Sequence, residues 1–331
     1  MDTIIKAGSE QNWKKNDMLI ACNFNMNCNF NCSYCINKSF RKNYTEQLSK
    51  EALHNLFSNL PKLDKDFYAF TMAGGEPSLY KYFPEMLNYL KTFFPSNNFK
   101  FSIVTNGSLL HKIEEYFKNY QDFNFHIHIS IHLEQMNIDD YLKIFSSFSY
   151  PERCHIRIML EPGHLDQLNK LTEKAKSFGY KNFLVLPILI NQKLSPDYTE
   201  EEIDCLKNSS AHSDVLLSNY YLNNNQKIKK EFIKKDVTFN PELVDYSGLQ
   251  CLAGYNSLKV LPNGTIHPCH WHKGDPNFNL NTHSFLDYIY IYINQSHVHP
   301  HTAAVPVSQQ FPSGIPNMPK LRIIFLKKPQ S

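Results

Sequence analysis

MLIACNFNMNCNFNCSYC, residues 18 to 35, decides how the rest of the chain is read. Its first seven residues, MLIACNF, form a short apolar run with the composition of a buried strand. The loop that follows carries Cys28, Cys32 and Cys35, separated by three and then two residues. Iron–sulfur clusters take one cysteine thiolate per iron. Three thiolates therefore hold three corners of a four-iron cluster and leave one iron open to a small molecule. Two other readings fit the same spacing. One is a structural zinc site completed by Cys22 or a distant histidine; the other is a redox pair at Cys32 and Cys35. Zinc modules usually pair two CxxC knuckles, and the chain has no second one.

The chain as a whole supports a metal role for that loop. There are eight cysteines, Cys22, Cys28, Cys32, Cys35, Cys154, Cys205, Cys251 and Cys269. The N-terminal MDTIIKAGSEQNWKKN lacks the apolar core of a secretion signal, so the expected location is cytoplasmic. In a reducing compartment clustered cysteines are more often ligands than disulfides. A net charge of +3 over 331 residues gives no field that argues for nucleic acid or an anionic membrane, and no apolar run reaches membrane-span length. Neither partner is expected. Cys22, Cys154 and Cys205 sit in strand-like or helical contexts and read as small buried hydrophobes.

Outward from the cysteine loop, one pattern repeats. Apolar runs at 18–24, 67–73, 99–105, 125–131, 154–160 and 183–190 are rich in β-branched and aromatic residues. Between them, 45–60, 83–94, 109–120 and 165–179 carry apolar residues at helical spacing, the last ending in Gly179 as a C-cap. Strand alternating with helix implies parallel strands with right-handed crossovers, in an open doubly wound sheet or a full or partial barrel.

The cysteine spacing, with Tyr34 just before the third cysteine, resembles the radical S-adenosylmethionine (radical SAM) superfamily. The later strand ends carry the same resemblance. Gly74-Gly75-Glu76-Pro77 follows the second strand, Thr105-Asn106-Gly107 ends the third, and Ser130-Ile131-His132 ends the fourth, where relatives often have Ser-Ile-Asp. The resemblance covers about residues 18–190 and implies an α/β fold, a partial (β/α)6 TIM-like barrel with a C-terminal β-hairpin and helical extension. It implies a 4Fe-4S cluster on Cys28, Cys32 and Cys35, with S-adenosylmethionine at its open iron. It further implies that Gly74, Gly75, Glu76 and Pro77 hold the methionine amino group, the glutamate included. Asn106 belongs to the same cofactor site, Ser130 lies near the ribose or carboxylate, and Leu186 with Pro187 lines the adenine. Arg157, inward on the fifth strand with His155 and Met159, is either a partner of the cofactor carboxylate or an exposed ion-pairing residue. The role of His132 stays open.

The implied chemistry is one-electron reductive cleavage of S-adenosylmethionine to a 5′-deoxyadenosyl radical, which abstracts hydrogen from a substrate C–H bond. An electron donor such as flavodoxin or ferredoxin is then a partner, and the substrate is a peptide or a small molecule or carbohydrate. The alternatives are a non-catalytic iron–sulfur or zinc protein and a truncated, inactive homologue.

Beyond the barrel, 1–17 is an N-terminal extension, 18–195 the core, 196–282 a second region and 283–331 an irregular tail. Residues 199–235 read as helical and polar, with KIKKEFIKK (227–235) as a solvated helix face. CLAGYNSLKVLPNGTIHPC (251–269) contains a hairpin signal around Pro262-Asn263-Gly264. It resembles the first half of a SPASM or twitch extension, in which Cys251 and Cys269 serve an auxiliary iron–sulfur cluster. Such extensions use further cysteines, and none follows Cys269; His267, His270 and His272 are the substitutes within reach. The tail, with YIYIYIN, HVHPH and six prolines from 300 to 329, reads as a frameshifted or disordered segment.

Overall fold

The chain was analysed as a computed structural model, which describes residues 4–9, 17–190, 193–212, 216–222, 227–232, 257–268 and 278–288. In chain order the elements are β1 (Ile4–Ser9), β2 (Asp17–Asn25), α1 (Lys38–Asn43), α2 (Lys50–Asn59), β3 (Phe67–Gly74), α3 (Phe83–Phe93), β4 (Phe99–Thr105), α4 (Leu110–Phe117), β5 (Phe125–Ile131), α5 (Ile138–Ser147), β6 (Cys154–Leu160), α6 (Leu165–Ser177), β7 (Asn182–Pro187), β8 (Leu189–Ile190), β9 (Lys193–Leu194), α7 (Glu200–His212), β10 (Leu216–Leu222), β11 (Lys227–Phe232), β12 (Ser257–Val260), β13 (Ile266–His267) and α8 (Phe285–Tyr288).

The main sheet has eight strands in the order β13-β12-β2-β3-β4-β5-β6-β7. From β12 to β7 every neighbouring pair is parallel, and only β13 runs antiparallel. All six expected strands are present and adjacent in sequence order, which makes a partial (β/α)6 barrel with an unclosed sheet. Alternation explains the layering. On β5, Phe125, Ile127, Ile129 and Ile131 are buried while His126, His128 and Ser130 are half-buried. β6 repeats this with Cys154, Ile156, Ile158 and Leu160 against His155, Arg157 and Met159. The apolar face packs under the helices; the mixed face is the barrel interior.

The helices close that core in ways their sequences specify. In α2, the Ser49 side chain accepts a hydrogen bond from Ala52 N, and Ala52, Leu53, Leu56 and Phe57 are buried. The helix therefore starts at Lys50; within the expected span 45–60, Leu48 N instead donates to Phe24 O at the end of β2. Gly179 ends α6 at φ +97°, and Tyr180 N returns to Ala175 O. Helix α5, absent from the expected set, begins at Asn137, whose side chain accepts from Asp140 N. Phe57, Phe70, Phe94 and Phe99 form an aromatic cluster with ring centroids 5.2–6.3 Å apart. Each such fully buried ring contributes about 1.5–3 kcal/mol.

One expectation is corrected. The segment 199–235 is helical only to His212; β10 and β11 then pair antiparallel, Tyr220 opposite Ile228, and β1 joins β10 to complete a three-stranded sheet. LLSNYYL has the aromatic composition of a strand, and a hairpin partner overrides the helical spacing read into KIKKEF. Of the segment 283–331, residues 283–288 are described. Helix α8 buries Phe285 and Tyr288, and Asn55 of α2 donates to Leu280 O and His283 O and accepts from Phe285 N.

The expected hairpin is present, turning at Gly264 with φ +86° and Gly264 N donating to Leu261 O. It lies inside the main sheet, with Ser257 opposite Leu19 and Val260 opposite Cys22. Cys251, Cys269, His270, His272 and the tail after 288 lie outside the described residues. Among the described residues no helix is long and apolar enough to cross a membrane.

Candidate cluster and cofactor site

The cysteine loop leaves β2 at Asn25 and is folded by its own polar side chains. Asn25 is buried; its Oδ1 accepts from Asn27 N, and its Nδ2 donates to Asn27 O and across to Glu76 O. Cys35 N donates to Cys32 O and Lys38 N to Cys35 O, so the third cysteine leads into α1. Arg41 of that helix returns to the loop, donating to Phe30 O and Cys28 O. Cys32 is buried, whereas Cys28 and Cys35 are half-exposed.

The Gly74-Gly75-Glu76 segment lies directly against this loop. Gly75 N donates to Asn25 O at 2.9 Å and Glu76 N to Asn27 O at 2.7 Å, while Asn37 Nδ2 donates to Gly74 O at 2.7 Å. The approach leaves no room for side chains. A Cβ on Gly75 would sit 2.1 Å from Asn27 O, and one on Gly74, at φ +123°, 2.5 Å from Asn25 O. Both glycines are half-exposed, but Glu76 is 1% exposed.

The Glu76 carboxylate turns inward. Oε1 accepts from Ser78 N, Ser78 Oγ and Thr105 Oγ1; Oε2 accepts from Asn106 N and Thr105 Oγ1. Burial pushes its pKa up, and the hydrogen bonds from Asn106, Ser78 and Thr105 pull it back. This side chain thus ties the end of β3 to the turn after β4. The carboxylate is engaged by these donors, while the backbone at Gly74 and Gly75 is half-exposed.

The turn after β4 completes the junction. Asn106 Nδ2 lies 3.8 Å from Cys28 Sγ and donates to Asn29 Oδ1, and Phe30 N lies 3.4 Å from the same sulfur. N–H groups aimed at a sulfur favour its thiolate form. Burial nevertheless pushes the Cys28 thiol up. Burial, with the neighbouring Cys35 and Cys28, pushes Cys32 up to about 12.

A clamp that the sequence did not reveal holds the loop from the other side. Glu134 Oε2 accepts from Ser33 N and Gln135 Oε1 from Asn31 N. Tyr34 OH meets His132 Nδ1 at 3.1 Å and Glu161 Oε1 at 3.3 Å. Buried Tyr141 accepts from His132 N and donates to Asn106 O, joining the ends of β5 and β4. Burial holds His132 at about 4, with Glu134 opposing in part. His132 is therefore a neutral imidazole at the loop's edge. No spacing rule marks Glu134, Gln135, Tyr141 or Asn25; they matter because the topology brings their loops together.

The remaining expected residues line the interior. Ser130 stands opposite Arg157, and Met159 opposite Leu186, which is 5% exposed. Arg157 is not in an exposed ion pair: it is half-buried and has no hydrogen-bond or charge partner among the described residues. Cys22 and Cys154 are fully buried and Cys205 half-buried, with burial raising all three thiols, as small packed hydrophobes.

Among the described residues no three His, Cys, Asp or Glu side chains are gathered as a single metal ion would require; three thiols on one loop are the donors that an iron–sulfur cluster would use.

Comparison with known proteins bears on the same region. No curated protein matches the chain. The chain is similar in structure to native anSMEcpe with bound AdoMet, at 15% identity and a TM-score of 0.54, over 85% of this chain and 82% of that one. Native anSMEcpe with bound AdoMet and Cp18Cys peptide gives 16%, 0.52, 85% and 82%. Streptococcus suis SuiB bound to precursor peptide SuiA gives 16%, 0.52, 86% and 67%. At such identities the likeness shows the fold. The profile of the Radical SAM superfamily matches residues 22–204, more than half the chain and the run from β2 into α7. With three cysteines on the loop after β2 and the later motifs at successive ends of one parallel sheet, this chain belongs to the Radical SAM superfamily.

Proposed function

We propose that the chain is an S-adenosylmethionine-cleaving enzyme whose Cys28, Cys32 and Cys35 hold an open-site 4Fe-4S cluster. The observation that carries this reading is the meeting of three motifs at one point. Asn106 reaches toward Cys28 Sγ through its side chain and donates to Glu76 through its backbone. When bound, the cluster and S-adenosylmethionine supply one-electron cleavage to a 5′-deoxyadenosyl radical for hydrogen abstraction.

The chain's own residues orient and shield that chemistry. The backbone at Gly74 and Gly75 is half-exposed beside the cysteine loop and would receive the amino group. Glu76 and Pro77 fix that backbone. Ser130 and Arg157, paired in register, suit the ribose and carboxylate, and Leu186 the adenine. The core barrel spans residues 18–195, and 196–282 is an extension built partly into its sheet. Flavodoxin or ferredoxin is the electron donor expected for a cytoplasmic enzyme of this kind. The peptide-bound relatives make a peptide the first substrate to test, ahead of a small molecule or carbohydrate.

Anaerobic reconstitution followed by an iron count and a 5′-deoxyadenosine assay tests the reading. About four irons per chain and product formation, both lost in Cys32→Ala, are expected. About eight irons would assign an auxiliary cluster to Cys251 and Cys269. Zinc in place of iron, with no 5′-deoxyadenosine, would overturn the proposal.

A further inference from the structure

The barrel interior carries a set of nitrogen-bearing side chains that, Arg157 apart, the cofactor reading does not use. Alternation places Lys100 of β4, His126 and His128 of β5, and His155 and Arg157 of β6 on the face the helices do not cover. Their alternating neighbours Phe101, Ile127, Ile129 and Ile156 are at most 1% exposed beneath the helices. His128 stands opposite His155 in register, with ring centroids 5.0 Å apart; His126 and His155 are 5.7 Å apart.

Among the described residues this cluster has no counter-charge: the ion pairs Lys50–Glu85, Arg153–Glu152, Lys170–Asp139 and Lys207–Asp204 all lie elsewhere. Neither Lys100 nor Arg157 has a hydrogen-bond or charge partner among the described residues. His128 Nδ1 is buried without a partner. On β2, Asn23, 1% exposed and in phase with Ala21 and Asn25, has neither amide atom paired. Burial lowers Lys100, and lowers Arg157 to about 10. Burial and the neighbouring cations keep the imidazoles neutral, His126 at about 4.

Leaving cations and polar atoms half-buried and unmatched is unfavourable. A ligand that supplies negative charge and acceptor oxygens reverses that. A cation does not, because Lys100 and Arg157 repel it and the three imidazoles do not converge on one ion. Two cations beside neutral ring N–H donors match an oxyanion. The position also suits a substrate. His128 lies two residues and His126 four residues below Ser130 on β5, roughly 7 and 13 Å toward the N-terminal ends of the strands. A molecule anchored there extends its other end to the mouth.

We infer that the barrel interior binds an anionic oxy group of the substrate, a carboxylate or a phosphate, through Lys100, His128 and His155, with Arg157 at the boundary with the cofactor. This rests on the mouth of the barrel being the S-adenosylmethionine site.

The test is a titration of the full-length chain, isotopically labelled in histidine, with inorganic phosphate and with acetate. Potassium chloride holds the ionic strength constant, and His128→Gln and His155→Gln assign the ring signals. The expected result is a saturable shift of both rings with at least one oxyanion and none with chloride. Lys100→Met should weaken it by roughly tenfold or more, while Lys100→Arg retains it. A response to phosphate alone assigns a phosphorylated substrate, and one to acetate alone a carboxylate. No saturable shift, or a shift unchanged in Lys100→Met, overturns the inference. The readout needs no iron. Failed cluster assembly therefore counts against the proposed function alone, and a silent titration beside normal 5′-deoxyadenosine formation counts against this site alone.

Discussion

Replacing Glu76 by Gln separates two opposing effects at one buried group. The wild-type carboxylate has been taken out of water, and burial raises its pKa. Judged by that alone, a neutral amide should be the more stable occupant. The hydrogen bonds argue the other way. Ser78 N donates to one carboxylate oxygen and Asn106 N to the other. An amide offers one oxygen, so one backbone N–H must face an NH2 group. The hydroxyls of Ser78 and Thr105 can rotate to accept from the amide, but a backbone N–H cannot turn. One buried N–H left unmatched costs about 1–3 kcal/mol. We therefore expect Glu76→Gln to lower stability by that amount, a fall in Tm of roughly 2–10 °C for a domain of this size. Thermal and denaturant unfolding of the metal-free chain read it directly. A variant as stable as wild type, or more so, would refute the argument and show that desolvation outweighs the backbone donors.

Gly75→Ala must push Asn27 O back by about 1 Å to reach an ordinary carbon–oxygen contact of ~3.3 Å; we expect about 1–3 kcal/mol of destabilisation, seen in thermal melting, and loss of iron binding. Glu134→Ala with Gln135→Ala removes two exposed acceptors from the cysteine loop. Water can replace them, so stability should change by less than about 0.5 kcal/mol, while the reconstituted protein loses iron to a chelator several-fold faster. Acid should destabilise the fold partly through histidine. Burial first, and then the neighbouring Lys100, His155 and Arg153, hold His126 at about 4 in the folded chain, against about 6.5 unfolded. Between those values the unfolded chain holds more protons, so stability rises with pH and is lost as pH falls. The slope of denaturation midpoint against pH from 4 to 6.5 should be shallower in His126→Gln.

The barrel was readable because its signals are local. Apolar runs of seven or eight residues ending in turns fix the six strands, and each motif follows its strand within a few residues. Local signals also failed in predictable places. KIKKEF has helical spacing, but the choice between helix and strand there depends on β10 and β1, the latter more than 200 residues away in sequence. The role of the Glu76 side chain depends on Thr105 and Asn106, and that of Glu134 and Gln135 on a loop about 100 residues earlier. Nothing within a few positions of these residues records such partners. The interior cations were half legible: alternation put Arg157 and His155 on one face, but only adjacent strands supply Lys100 and His128.

Parallel pairing of β12 with β2 has a consequence for biosynthesis. The strand that delivers the cysteine loop is central in the finished sheet, yet its neighbour on one side begins at Ser257, 232 residues after Asn25. At ~5–20 residues per second, roughly 12–46 s separate their synthesis. Throughout that interval β2 presents an unpaired flank beside three thiols, open to pairing with other chains. The nascent protein is then most exposed, to aggregation and to oxidation alike, at the place where its metal must later be installed.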